Sequence, residues 1–181
     1  MIGESDRQEL LAVARRSIAA ALEGRRYEPE IPATGPLAEP RAAFVTLTRA
    51  GRLRGCIGRI VADEPLAAVV AEMAVAAAFE DYRFGRMGRG ELGEIRIEIS
   101  ALTPFVPARE PSEIEVGRHG LMIRKGERSG LLLPQVTAEE RWNAERFLEE
   151  TCRKAGLPPG AWREGATVET FEAEVWGEEG A

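Results

Sequence analysis

Cys56, His119 and Glu98 are the residue types in this sequence that could together form a bond to sulfur and move a proton. A cysteine supplies the nucleophile, a histidine the base, and a carboxylate such as Glu98 or Glu115 the orienting acid. Cys56 lies in Arg52-Leu53-Arg54-Gly55-Cys56-Ile57-Gly58, just after the strand-like run Phe44-Val45-Thr46-Leu47-Thr48. Ala50-Gly51 between them reads as a two-residue hairpin loop. Pairing Arg49 with Arg52 sets Leu47 opposite Arg54 and Val45 opposite Cys56. Alternation along the strand then puts Arg52, Arg54 and Cys56 on one face, with Leu53, Ile57 and Phe44 turned to the core. An arginine on the Cys56 face would favour a thiolate and could hold a carboxylate or phosphate of a ligand. Gly55 and Gly58, without Cβ atoms, admit close approach of a ligand or mark a bulge. Gln135, at a strand exit, could present its amide to the same ligand. Each residue also has a plain structural reading. A cysteine often packs as a small hydrophobe, a lone histidine in a turn is often just exposed, and outward carboxylates are solvated.

Composition excludes several function classes. One histidine rules out a multi-histidine metal site, and Cys56 and Cys152, far apart with no CxxC, argue against structural zinc; no metal is expected. No dinucleotide or phosphate-loop fingerprint appears, so no cofactor is implied. A net charge of −6 argues against general nucleic-acid binding. No apolar run is long enough for a bilayer and no signal segment is visible, so a cytoplasmic protein without membrane association is expected. Lys125 and Lys154 are the only lysines in an arginine-, alanine- and glycine-rich chain, which suggests a GC-rich bacterial source.

The elements that must position these residues follow from periodicity and turn chemistry. Asp6 and Glu9 have capping-box spacing ahead of a helix through Leu22, stopped by Gly24. Residues 27–42, with Pro29, Pro32, Pro36 and Pro40, are extended. Asp63-Glu64-Pro65 opens a second helix, apolar nearly all round and hence buried. Arg83 to Gly90 reads as a basic, mobile loop. Ile95, Ile97 and Ile99 alternate with Arg96, Glu98 and Ser100 in a strand with one polar face. Further strands are expected at 113–116, 121–124, 130–133 and 169–176, and one amphipathic helix at 138–155 with Cys152 in its core stripe. Runs of strands without regular alternation with helices predict an α+β fold. It is a mostly antiparallel sheet flanked by helices, a single domain over residues 1–181 with a smaller second lobe within it.

Leu53-Arg54-Gly55-Cys56-Ile57-Gly58 resembles the hallmark of the AMME chromosomal region protein family, the AMMECR domain, also called AmmeMemoRadiSam system protein A. The resemblance continues through Pro65-Leu66, Ala78-Phe79-Glu80-Asp81, Ile97-Glu98-Ile99-Ser100 and Glu115 to Leu121. It extends through Gly130 to Val136 and Thr151 to Leu157. Where relatives read Asp-Pro-Arg-Phe-Pro this chain has Asp81-Tyr82-Arg83-Phe84-Gly85, and where many have aspartate it has Asn143. The family's name implies partners, a Memo-like protein and a radical SAM protein, in a shared system. Two function classes stand side by side. One is a cleft on Leu53–Gly58 that binds or transforms a small, anionic molecule, with Cys56 as nucleophile or redox thiol and Arg54 as anion holder. The other is a non-enzymatic interaction module docking those partners. Arginine, thiol and glycines on one strand favour the cleft.

Overall fold

The structure, a computed structural model, describes residues 1–178. In chain order the elements are α1 (Glu4–Leu22), β1 (Ala43–Arg49), β2 (Arg52–Arg59), α2 (Leu66–Phe79), β3 (Ile95–Leu102) and β4 (Val106–Pro107). Then follow β5 (Gly120–Lys125), β6 (Arg128–Leu132), α3 (Pro134–Glu140), α4 (Ala144–Lys154), β7 (Thr167–Phe171) and β8 (Ala173–Gly177). The fold is α+β, as the strand and helix patterning predicts. It divides into two compact units, one of Met1–Leu102 with the stretch from Glu174 onward, the other Thr103–Ala173.

The first unit is built on a four-stranded sheet of order β2-β1-β3-β8. β1 pairs antiparallel with both β2 and β3. The β1–β2 turn carries positive φ at Ala50 (49°) and Gly51 (72°), the twist that a two-residue hairpin loop requires. On the core face, Ala43, Val45 and Leu47 of β1 and Ile95, Ile97 and Ile99 of β3 are buried against α1 and α2. α2 buries residues on nearly every side because it is alanine, valine and methionine almost throughout. α1 begins earlier than its capping-box spacing suggests. Gly3 is the N-cap and Asp6 lies inside the first turn, where its charge meets the helix dipole.

The second unit holds the sheet β4-β7-β5-β6, with β5 antiparallel to β6 and β7. Its core gathers Leu121, Ile123, Phe147, Leu148 and Cys152, the last fully buried in α4 as its stripe predicts. Three element expectations are corrected here. The 138–155 helix is two helices, broken where Arg141 takes a left-handed φ of 53°; Asn143 then restarts the chain as N-cap, accepting from Arg146 N at 2.8 Å. Residues 113–116 form no strand: a 3-10 turn at Pro111–Glu113 occupies that place. The 169–176 strand is split at Glu172 between β7 and β8, which belong to different sheets. Glu172 instead exchanges backbone and hydroxyl hydrogen bonds with Thr103, each at 2.8 Å.

Candidate functional site

The register of β2 departs from the simple hairpin. Thr48 pairs with Leu53 but Leu47 pairs with Gly55, so Arg54 is the extra residue of a β-bulge. Beyond it every side chain has changed face relative to the uninterrupted pairing. Cys56 therefore faces Thr46 rather than Val45, and Arg54 no longer shares its row. Leu53, expected in the core, is 44% exposed. Phe44 turns away from the helices to cover Gly58.

The hallmark residues are then accounted for one at a time. A Cβ on Gly55 would lie 2.1 Å from the Ala77 carbonyl oxygen of α2, and a Cβ on Gly58 would lie 2.1 Å from the Phe44 ring. Close approach is real at both positions, and the atoms met in the Cβ direction are the protein's own. Arg54 reaches into the segment after α2. Its Nε donates to Glu91 Oε2 at 2.7 Å, and its Nη2 to Glu91 Oε1 at 3.1 Å and the Gly85 carbonyl at 3.0 Å. The bidentate guanidinium of Arg54, followed by the Gly88 N–H, lowers the Glu91 pKa to about 2. The Arg83–Gly90 loop is consequently tied down, with Met87 buried and its N–H bonded to the Ala78 carbonyl.

Cys56 sits on edge strand β2, half-buried and free. Its N–H donates to Asp81 Oδ2 at 2.9 Å, and Arg83 Nη2 donates to its carbonyl at 3.3 Å. Asp81 also accepts from Arg83 Nε (2.9 Å) and Nη2 (2.7 Å). Its carboxyl, buried, is held well below the usual carboxylate range, by the Arg83 hydrogen bonds above all. Asp81 and Arg83 together occupy the backbone edge that an unprotected strand would offer to another chain. The cation beside the thiol is thus Arg83, not Arg54.

The outer face of the sheet sets a row across three strands. Thr46 of β1 pairs with Cys56 on one side and with Glu98 of β3 on the other. The Thr46 hydroxyl donates to Cys56 Sγ at 3.3 Å. Glu98 is exposed, and partial burial by its neighbours still pushes its pKa above the ordinary carboxylate value. Glu98 and Cys56 thereby share one polar face with one hydroxyl between them. His119 and Gln135 belong to the second unit. His119 Nδ1 accepts the Glu115 N–H at 3.0 Å, which leaves the proton of a neutral ring on Nε2. Gln135 is exposed in the first turn of α3. Among the described residues no group of three histidine, cysteine or acidic side chains could hold a metal.

A groove of ≈ 980 Å³ is lined by Ile57, Gly58 and Arg59 of β2 together with residues of α1, α2 and the segments beside them. Cys56 is not among the residues that line it, so the thiol does not form its floor.

The AMMECR1 family profile matches residues 11–176. The chain belongs to the AMMECR1 family. A protein of Methanopyrus kandleri is 44% identical, with 94% of this chain and 87% of that protein covered. One of Pyrococcus furiosus is 42% identical, with the same coverage of 94% and 87%. The crystal structure of an uncharacterized protein from Pyrococcus horikoshii superposes with a TM-score of 0.86 at 40% identity, covering 94% of this chain and 90% of that one. These relatives are archaeal, so the bacterial source suggested by composition finds no support among them. Among the described residues no helix is long and apolar enough to cross a membrane.

Within this family chain, sequence reasoning missed Thr46, Asp81, Arg83 and Glu91. Thr46 was legible only once the bulge was known. Asp81-Tyr82-Arg83 did carry a signal: an acid and a base two apart, directly after a buried helix, are well placed to close on a neighbouring backbone.

Proposed function

We propose that the polar face of the first sheet is a thiol site for a small electrophilic, anionic molecule. The observation that carries it is the Cys56–Thr46–Glu98 row, in which a hydroxyl bonded to sulfur separates the thiol from a carboxyl whose pKa burial has raised. A raised carboxyl pKa makes the protonated form of Glu98 easier to reach, which suits proton exchange. Cys56 attacks a carbonyl carbon, forming an S–C bond while the C=O electron pair moves to oxygen. Because the Thr46 hydroxyl donates to sulfur, the thiol proton passes to Glu98 by way of water on the open polar face, and returns by the same route to that oxygen or to a leaving group. Arg83, with a 44% exposed side chain and an Nη1 that makes no hydrogen bond among the described residues, meets the anionic end of the molecule. Arg54, Gly55 and Gly58 hold the strand in place. His119 and Gln135 are not required, since Glu98 already supplies proton exchange.

Alkylation by iodoacetamide tests this. In the folded protein Cys56 should label at least tenfold faster than Cys152, and Thr46→Val or Glu98→Gln should each slow Cys56 severalfold without altering the circular dichroism spectrum. Labelling of Cys56 as slow as that of Cys152, or indifferent to both substitutions, would remove the thiol site.

A second reading, an interaction module for Memo-like and radical SAM partners, is favoured by one observation. Tyr82 stands 93% exposed beside the Asp81–Arg83 clamp, with Leu53 also at the surface. Under that reading Tyr82→Ala abolishes partner capture and leaves Cys56 labelling unchanged.

A further inference from the structure

Two hydrogen-bond donors from different elements stand on either side of Cys56. Its N–H goes out to Asp81 and its carbonyl to Arg83, so both backbone groups turn away from β1. Its pairing with Thr46 is therefore the kind without backbone hydrogen bonds, in which facing side chains stand closest. That closeness brings the Thr46 hydroxyl to 3.3 Å from the sulfur. On the open edge, Arg83 Nη2 lies 3.3 Å from the carbonyl oxygen of Cys56 itself.

The guanidinium is held still. Asp81, with a side chain only 2% exposed, takes its Nε and Nη2, which leaves Nη1 without a hydrogen bond among the described residues. The Arg83 pKa is raised, first by its hydrogen bonds to Asp81 and in lesser part by the negative charge of Asp81 and of a Cys56 thiolate, which places the cation within electrostatic reach of the sulfur. Cys56 lines neither the groove beside α2 nor a smaller one of ≈ 320 Å³ at Trp162. A thiol with two aimed donors outside both grooves suits the smallest electrophiles, which need directed hydrogen bonds rather than an enclosing wall.

We infer that Cys56 also reduces hydrogen peroxide, with Thr46 and Arg83 holding the two peroxide oxygens. The inference rests on the thiol site proposed above. Sulfur attacks one oxygen, an S–O bond forms as the O–O bond breaks, and the sulfur gives up two electrons to become a sulfenic acid. The departing oxygen keeps the electron pair of the broken bond. Arg83 Nη1 donates to it as that charge develops. It leaves as water, taking the proton that the thiol released to Glu98 through the water on the polar face. Cys152 is fully buried in α4, so recovery draws on an external low-molecular-weight thiol. That thiol first forms a mixed disulfide with Cys56 and releases water. A second thiol then displaces Cys56 and leaves as the free disulfide.

The test is the rate of sulfenic acid formation on the full chain with hydrogen peroxide, trapped with dimedone and located by mass spectrometry. Cys56 in the folded protein should oxidise at least tenfold faster than the same cysteine in the urea-unfolded chain at the same pH. Thr46→Val and Arg83→Lys should each lower the peroxide rate at least tenfold while slowing iodoacetamide only severalfold, because departing iodide needs neither donor. Arg83→Lys keeps a cation beside Asp81, and thermal unfolding reports whether it folds; if it does not, Thr46→Val alone decides. Oxidation no faster than in the unfolded chain overturns the inference, and fast iodoacetamide labelling of the same sample leaves the thiol site standing. An equal fall with both reagents in the variants also overturns it, since that marks a general loss of nucleophilicity. Slow reaction of Cys56 with both reagents in the parent protein removes the thiol site and this inference together.

Discussion

Arg54 shows how much a single residue's surroundings decide. By type it is an anion-binding side chain; in place it is one half of a bidentate ion pair, 14% exposed against 19% for Glu91. Its Nη1 is buried without a partner, so its charge depends heavily on that carboxylate. Because the folded-state pKa of Glu91 lies near 2 and its ordinary value is 4.5, the pair stabilises the fold above pH 4.5, and that stability is lost as pH falls through about 2. At about 1.4 kcal/mol per pKa unit, and discounted for partial exposure, the contribution is about 2 kcal/mol at neutral pH. Glu91→Gln should therefore lower stability by about that amount in denaturant titrations at neutral pH, with the deficit shrinking toward pH 2. A deficit that stayed constant across this window would mean that the substitution disturbs packing rather than charge. Glu98 has the opposite sign. Its raised pKa means the folded state prefers the protonated form, a stabilisation present in acid and lost as pH rises through the folded value.

At the scale of the element, the second unit's helical region turns on one cap. A continuous helix from 138 to 155 is plausible from the apolar stripe alone, yet Arg141 reverses φ and Asn143 begins a new helix, with Trp142 set against Phe147 at a centroid distance of 6.5 Å. The Asn143 side chain takes one of the N–H groups that the first turn of α4 cannot satisfy internally. Asn143→Ala should cost about 1 kcal/mol in thermal or denaturant unfolding, whereas Asn143→Asp should cost nothing or stabilise slightly, since a carboxylate caps equally well and meets the positive end of the helix. If aspartate proved as damaging as alanine, the amide rather than the cap would be the feature that matters. In β2 the element-scale device is the bulge, which moves Cys56 onto the polar face while Gly55 lets Ala77 of α2 approach the strand.

On the scale of the whole molecule, two sheets with separate cores predict two families of protected amides in hydrogen exchange. The slowest should lie in β1 and β3 of one unit and in β5 and β7 of the other, the strands flanked on both sides. Uniformly fast exchange throughout β5 and β7 would contradict an independent second core. Hydrophobic period and turn residues, both local, were sufficient for the α+β class, the Ala50-Gly51 hairpin, the buried α2, the alternation of β3 and the burial of Cys152. Residue type singles out Cys56 and Glu98 as candidates, and the strand phase of Glu98 is written in the chain, whereas that of Cys56 is not. What the chain did not disclose depended on contacts between distant segments. The bulge at Arg54 changes which side chains share a face, and it is stabilised by Glu91, thirty-seven residues away. Asp81 and Arg83 matter because an edge strand lies beside them. Glu172 divides one apolar alternation between two sheets because Thr103 meets it there. Periodicity reports which way a side chain points within its own element; only the tertiary structure decides what stands opposite.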